Sequence, residues 1–359
     1  MKILYSADLH GDGEALHLFS AYASNRKDIN AVIYSGDLIA PPLDNEQMKD
    51  FLEVKQILGG IREKNKIPYS LAQIAKTFME GEGVDESLKS LSKSYLIYAS
   101  LSKENMLAQY KAIKEKFSKF SVPVLTLPGN HDGKCLEEIL GEENLHMKTK
   151  DVNGIKFAGY GGAEVIPVWM PEELAMNYQE VLDDNYIFHS QPLGFLSQQN
   201  ADIAVVHNPP FGACDITKNL DKVVDKEYNQ DDESHVGSKG IASYIMQDSP
   251  RVVLAGHIHE SIGVEQKGYS YVLNPGNIGR YLNEKNHGTF MEFELDDNKN
   301  LIGVKLYLLK EIDKISKEML ETNPLQVADV IAEYIPTPTG IVLEQKIPLQ
   351  AEEEIRVAA

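Results

Sequence analysis

Asp8 with His10, Asp37, Asn130 with His131 and Asp132, His207, and His257 with His259 are the residues whose types and spacing could do chemistry. Each group follows a short apolar run that reads as a buried strand. Lys2 to Ala7 leads into Asp8-Leu9-His10, Ala31 to Ser35 into Gly36-Asp37, and Val122 to Leu127 into Pro128 and Gly129-Asn130-His131-Asp132. Ile203 to Val206 leads into His207, and Val252 to Ala255 into Gly256-His257-Ile258-His259. Turn formation accounts for Gly, Asn and Asp at such places, yet it gives His131 no role. Taken singly, Asp8 or Asp37 could cap a helix, His207 could be a hydrogen-bonded core histidine, and Gly256 could simply end a strand. Taken together, those readings require a coincidence at five strand ends, and a shared site requires one cause.

In an open α/β sheet the carboxyl ends of the strands face one crevice, which would receive three Asp, one Asn and five His. That set favours two divalent metals. His10 and His259 stand with Asp8, His207 and His257 join Asn130, and Asp37 can place one carboxylate oxygen on each ion. Nitrogen and oxygen donors without thiolate suit Mn2+, Fe2+ or Fe3+, or Zn2+, with Mn2+ favoured, and do not suit a structural zinc. Ions typically ~3.5 to 4 Å apart can hold a bridging hydroxide and polarise a phosphoryl oxygen. His131 is then placed to protonate the leaving oxygen, with Asp132 expected to orient its ring.

With these motifs in order, the sequence resembles the calcineurin-like metallophosphoesterases. The resemblance implies a four-layer α/β/β/α sandwich and hydrolysis of phosphate esters. Carried over, it gives Asp8, His10 and His259 to one metal and Asn130, His207 and His257 to the other, with Asp37 bridging. It spans residues 1 to about 309, except for the stretch from 44 to 120. A narrower resemblance, to small prokaryotic members, lies in Asn208-Pro209-Pro210-Phe211-Gly212 and His235-Val236-Gly237-Ser238-Lys239. It would bring His235 and Ser238 near the crevice; alternatively Ser238 caps a helix carrying Ile241, Tyr244 and Ile245. His17, His146, His189 and His287 have no such context and are expected in the core or on the surface.

The elements that must position these groups begin with a strand, a helix over Glu14 to Asn25 and a second strand, a β-α-β unit with parallel pairing. Further strands are expected at Ile155 to Tyr160, Tyr269 to Leu273, Thr289 to Leu295 and Ile302 to Leu309, the later ones close enough in sequence to pair antiparallel. Residues 44 to 120 show helical periodicity, broken at Gly81-Glu82-Gly83. Asp85 is the expected N-cap of one long helix reaching Phe120, supported by the stretch from Met48 to Met79. A further helix is expected from about Ile312 to Tyr334. This predicts a metallophosphoesterase domain over 1–310 with a helical insert at about 44–120, and a C-terminal helix and tail over 311–359.

The 359 residues, 43% hydrophobic and 25% charged, describe an ordinary globular chain. Its net charge of -19 opposes nucleic acid as a general partner and leaves a small phosphate ester as the expected substrate. No stretch is long and apolar enough to span a bilayer or to act as a signal peptide, and Cys135 and Cys214 are the only cysteines. A cytoplasmic location without disulfides is expected. The predicted activity is metal-dependent hydrolysis of a phosphomonoester or phosphodiester. The alternatives are a catalytically silent protein-binding scaffold of the same fold, against which His131 stands, and a nuclease, against which the acidity stands. The insert is expected to form a cap beside the crevice; its alternative use, shared with the C-terminal helix, is to hold a homo-oligomer together.

Overall fold

The computed structural model describes residues 1–217, 234–280, 288–311, 315, 317–337 and 340–346. Along the chain run β1 (Lys2–Ala7), α1 (Gly13–Ser24), β2 (Ala31–Ser35), α2 (Asn45–Lys64), α3 (Leu71–Glu80), α4 (Glu86–Phe117), β3 (Val124–Leu127) and α5 (Glu137–Leu140). Next come β4 (Lys148–Val152), β5 (Ile155–Tyr160), β6 (Glu180–Leu182), β7 (Phe188–Ser190), α6 (Gln191–Leu196), β8 (Ile203–Val206), β9 (Ile216–Thr217), β10 (Ser234–His235) and α7 (Lys239–Asp248). The remainder is β11 (Val252–Leu254), β12 (Gly263–Lys267), β13 (Ser270–Asn274), β14 (Thr289–Leu295), β15 (Leu301–Leu309), α8 (Lys317–Thr322), β16 (Ala328–Thr337) and β17 (Gly340–Lys346).

The main strands form two sheets, of seven strands in the order β17-β16-β15-β14-β1-β2-β3 and of six in the order β12-β13-β11-β8-β5-β4. β1, β2 and β3 pair parallel, as do β5, β8, β11 and β13, so their carboxyl ends lie together. Alternation along each strand distributes its side chains between two faces. Ile3, Tyr5, Ile33 and Leu127 of the first sheet meet Phe157, Val205, Leu254 and Leu273 of the second in one buried cluster. On the opposite face Leu4, Val32 and Tyr34 pack under α1 and the end of α4. Ala158, Ala204, Val206 and Val253 pack under α6 and α7. Each large side chain so buried stabilises the fold by about 1.5 to 3 kcal/mol.

Asp85 caps α4 by accepting the Ser87 N–H, and the 32-residue helix extends about 48 Å at 1.5 Å per residue. Its first half is covered by α2 and α3 around Phe51, Leu58, Leu71, Ile74 and Tyr95. Its second half, with Met106, Tyr110, Ile113 and Phe117, closes the outer face of the first sheet, where the Phe117 and Tyr34 rings lie 4.8 Å apart. The insert is thus tied to the rest of the molecule by one helix that belongs to both hydrophobic clusters.

The C-terminal helix expected from 312 to 334 is a correction. Residues 317–322 are helical, but Ala328–Thr337 is β16, which pairs antiparallel with β15 and with β17. A register shift opposite Leu306 and Tyr307 places Ile331 and Ala332 both inward. This bulge sets Val327, Ile331 and Tyr334 at spacings of four and three, which imitate a helix in the sequence. Residues 312–314 and the tail beyond 346 lie outside the described residues.

Candidate metal centre

The site begins with backbone hydrogen bonds that extend the pairing of β1 and β2 past the ends of the strands. Asp8 N–H donates to Gly36 O (3.2 Å), His10 N–H to Asp37 O (2.7 Å) and Gly11 N–H to Leu38 O (3.1 Å). The second sheet joins here, with Gly256 N–H donating to His207 O (2.9 Å), Ser35 Oγ to Val206 O (2.7 Å) and Tyr5 O–H to Ala255 O. Asp8, His10, Asp37 and His257 all have left-handed backbones, with φ of 56°, 48°, 49° and 68°. Such values are uncommon outside glycine, and their concentration at one place marks a turn imposed by the site.

These turns bring the predicted residues together. Three groups, Asp8-His10-His259, His10-Asp37-His131 and Asp37-His207-His257, each place one donor atom per residue within 4.8 Å of one another. His10 Nε2 lies 3.2 Å from His259 Nε2, and the latter lies 3.4 Å from Asp8 Oδ1. Asp37 presents Oδ1 to His207 Nε2 (3.4 Å) and Oδ2 to His10 Nε2 (3.9 Å) and His131 Nε2 (4.0 Å). Asn130 Oδ1 is 3.1 Å from His207 Nε2, and the rings of His207 and His257 are 4.9 Å apart.

Two glycines let the loops approach this closely. A Cβ on Gly129 would lie 2.0 Å from Asp37 Oδ1, and one on Gly36 would lie 2.0 Å from His207 Nδ1. Both motif glycines are thus sites of close approach to proposed ligand side chains.

The donor set fits a cation. His207 Nδ1 contacts Ser35 O (3.3 Å), a bond that directs the Nε2 lone pair towards Asn130 Oδ1 and Asp37 Oδ1. Those oxygens are acceptors, so the contact requires positive charge between them. Without a metal, a proton meets that need: burial opposes it, but Asp37 raises the His207 pKa to about 9. Burial pushes His257 down to about 3 and also lowers His10, so neutral imidazoles suited to metal ligation flank Asp37.

Asp132 does not take its expected position against the His131 ring. Its carboxylate accepts from Leu38 N–H (3.2 and 3.1 Å), Gly129 N–H (2.8 Å) and the Tyr110 hydroxyl (3.0 Å). It ties the loop after Asp37 to the loop bearing Asn130, and burial, reinforced by Asp37, pushes its pKa up to about 7. The sequence reading missed Tyr110, whose oxygen also accepts from Gly133 N–H (2.8 Å), and Trp169, whose ring meets His131 edge-on at 5.3 Å. The only sequence signal for Tyr110 was its place on the apolar stripe of α4, which a core role explains equally well.

Ser238 caps α7, accepting from Ile241 N–H (2.9 Å) and donating to Glu180 Oε1 (2.6 Å). His235 Nδ1 pairs with the buried Asp215 Oδ1 at 2.6 Å. His146 is largely buried and accepts from Gly161 N–H, His189 pairs with Asp183 at 3.0 Å, and His17 is exposed. His287 lies outside the described residues. The two cysteines are free and buried. Among the described residues no helix is long and apolar enough to cross a membrane.

Residues 90–261 match the family model described as calcineurin-like phosphoesterase. Over this stretch, just under half of the chain, the sequence is similar to the calcineurin-like phosphoesterases. The matched stretch holds Asn130, His131, Asp132, His207, His257 and His259, while Asp8, His10 and Asp37 precede it. The family is one of metal-dependent phosphoesterases, and the helix-and-sheet architecture agrees with it. An uncharacterised protein of Methanocaldococcus jannaschii is 29% identical over 167 residues, 45% of this chain and 68% of that protein. Among solved structures, TT1561 of Thermus thermophilus is 17% identical with a TM-score of 0.39, covering 84% of this chain and 96% of that one. Vps29 of Entamoeba histolytica complexed with Zn2+ is 10% identical with a TM-score of 0.34, covering 96% and 97%.

Proposed function

We propose that this protein hydrolyses a phosphomonoester or phosphodiester at two divalent metal ions, Mn2+ foremost, held by Asp8, His10 and His259 and by Asn130, His207 and His257, with Asp37 between them. The observation that carries the reading is the orientation of Asp37, whose Oδ1 faces His207 and whose Oδ2 faces His10. Bound ions supply Lewis acidity towards the phosphoryl oxygens and activation of water as the nucleophile.

The protein groups do the rest. Water oxygen forms a bond to phosphorus as the bond to the alcohol oxygen breaks, and that departing oxygen keeps the electron pair. His131 Nε2 faces the cluster, 4.0 Å from Asp37 Oδ2, and delivers the proton that makes the leaving group a neutral alcohol. Asp132 and Tyr110 position the Asp37 and Asn130 loops without reaching the substrate.

The test is to strip the purified protein with a chelator, restore Mn2+, Fe2+ or Zn2+ in turn, and assay an aryl monoester and an aryl diester. Hydrolysis of either with any metal supports the reading. Tight metal binding without turnover of either ester would favour a binding scaffold instead.

A further inference from the structure

Trp169, the chain's single tryptophan, occupies a place that the proposed chemistry leaves without a role. Its ring meets His131 edge-on at 5.3 Å, with 72° between the planes. The group that protonates the departing oxygen must stand within hydrogen-bond reach of it. The carbon skeleton of the leaving alcohol therefore begins beside His131, and among the described residues Trp169 offers an aromatic surface there.

The insert fixes this surface in position. Lys55 Nζ, on α2, donates to Val168 O (2.7 Å) and Met170 O (2.8 Å), the carbonyls on either side of Trp169. Arg62 Nη1 holds both Glu172 oxygens at 2.8 Å, and the Tyr95 hydroxyl of α4 donates to Glu173 (3.0 Å). Lys134 N–H donates to Leu174 O (2.8 Å), which anchors the same loop just past His131. On that loop Val165 and Val168 remain 59% and 70% exposed, an apolar rim in an otherwise acidic protein.

We propose that Trp169 is the wall of a leaving-group subsite, so that the preferred esters carry an aromatic or extended apolar alcohol, and that α2 and α4 serve selectivity by fixing the loop that bears it. This rests on the phosphoesterase reading and names the substrate class for that site. The competing role is structural, since Trp169 also belongs to the buried cluster beneath α4. The two differ in what they do to substrate preference. A prop for His131 affects every ester alike, whereas a subsite wall affects only those that reach it.

The experiment compares benzyl phosphate with methyl phosphate, whose leaving alcohols differ little in acidity, on full-length protein loaded with Zn2+. Trp169→Ala should lower kcat/KM for the benzyl ester about tenfold relative to the methyl ester, and Trp169→Phe should retain the preference. Lys55→Met should shift the preference in the same direction by a smaller factor. An equal fall for both esters in Trp169→Ala would overturn the subsite, and an unchanged preference in Lys55→Met would overturn the role of the insert. Trp169 emission gives a second readout independent of turnover. Benzylphosphonate should bind by calorimetry and shift that emission, whereas methylphosphonate should not shift it. Absence of binding, or binding with unchanged emission, overturns the proposal. A shift in a protein that hydrolyses neither these esters nor, with any of the three metals, the aryl monoester and diester would sustain the subsite and defeat the phosphoesterase reading alone.

Discussion

His10 Nε2 and His259 Nε2 face each other at 3.2 Å, with Asp8 Oδ1 3.4 Å from the second nitrogen. Two lone pairs cannot meet at that distance without a proton or a cation between them. Divalent ion in hundredfold excess over its dissociation constant should stabilise the fold by about 2.7 kcal/mol. His259→Ala should abolish most of that gain while leaving metal-free melting nearly unchanged. Thermal melts with and without Mn2+ decide the matter, and a metal-independent Tm would remove the cation from this account.

Binding and chemistry should separate by residue. His131→Ala is expected to keep the metals and lose about 100-fold to 10,000-fold in kcat, whereas Asp37→Asn should lose metal first, because an amide cannot bridge two cations as a carboxylate does. Elemental analysis alongside kinetics checks both, and an empty site in His131→Ala would refute the division of roles.

Gly129→Ala tests the close approach of the loops. Its methyl group would stand 2.0 Å from Asp37 Oδ1, so the carboxylate or the loop must move. The expected result is a folded protein whose metal affinity falls at least tenfold by calorimetry; undiminished affinity would show that Asp37 needs no fixed position.

Tyr110→Phe removes the hydroxyl shared by Asp132 and Gly133 N–H. The buried groups it deserts should cost about 1 to 3 kcal/mol in urea unfolding. Metal affinity should also fall, since Asp132 holds the Leu38 and Gly129 amides. A stability loss with unaltered affinity would confine Tyr110 to the core.

His146 should give the metal-free protein an acid-sensitive limb. Burial holds its folded pKa at about 4, down from the ordinary histidine value of 6.5. An imidazole depressed on folding takes its proton in the unfolded chain first. Stability is therefore intact above pH 6.5 and declines as pH falls from 6.5 towards 4. The contribution is about 3 kcal/mol, and His146→Gln should flatten that part of the pH-stability curve. A variant curve parallel to the parent's would show that His146 does not drive it.

The proposed ligands were legible because each follows a buried parallel strand, whose uninterrupted apolar run is a strong signal that ends where the loop begins. The edge strands β4 and β12 were not. Their sequences, Lys148–Val152 and Gly263–Lys267, carry lysine, glutamine and acidic residues, as suits edges that must resist pairing with other chains. The helical reading of residues 328–334 failed because spacing alone cannot distinguish a bulged strand from a helix. Asp132 was misassigned because adjacency in sequence suggested a partner, whereas the turn sends its carboxylate towards backbone amides. Trp169 was invisible as a site residue because only the fold carries its loop to His131.

The separation of 249 residues between His10 and His259 has a bearing on the history of each molecule. A ribosome adding ~5 to 20 residues per second needs roughly ten to fifty seconds to make the second of these after the first. During that interval the early strands can pair while half of the binding pocket does not yet exist. Metal held by this pair, as proposed, could therefore not template the nascent fold before His259 is made, which would make loading at this pair a late step of maturation.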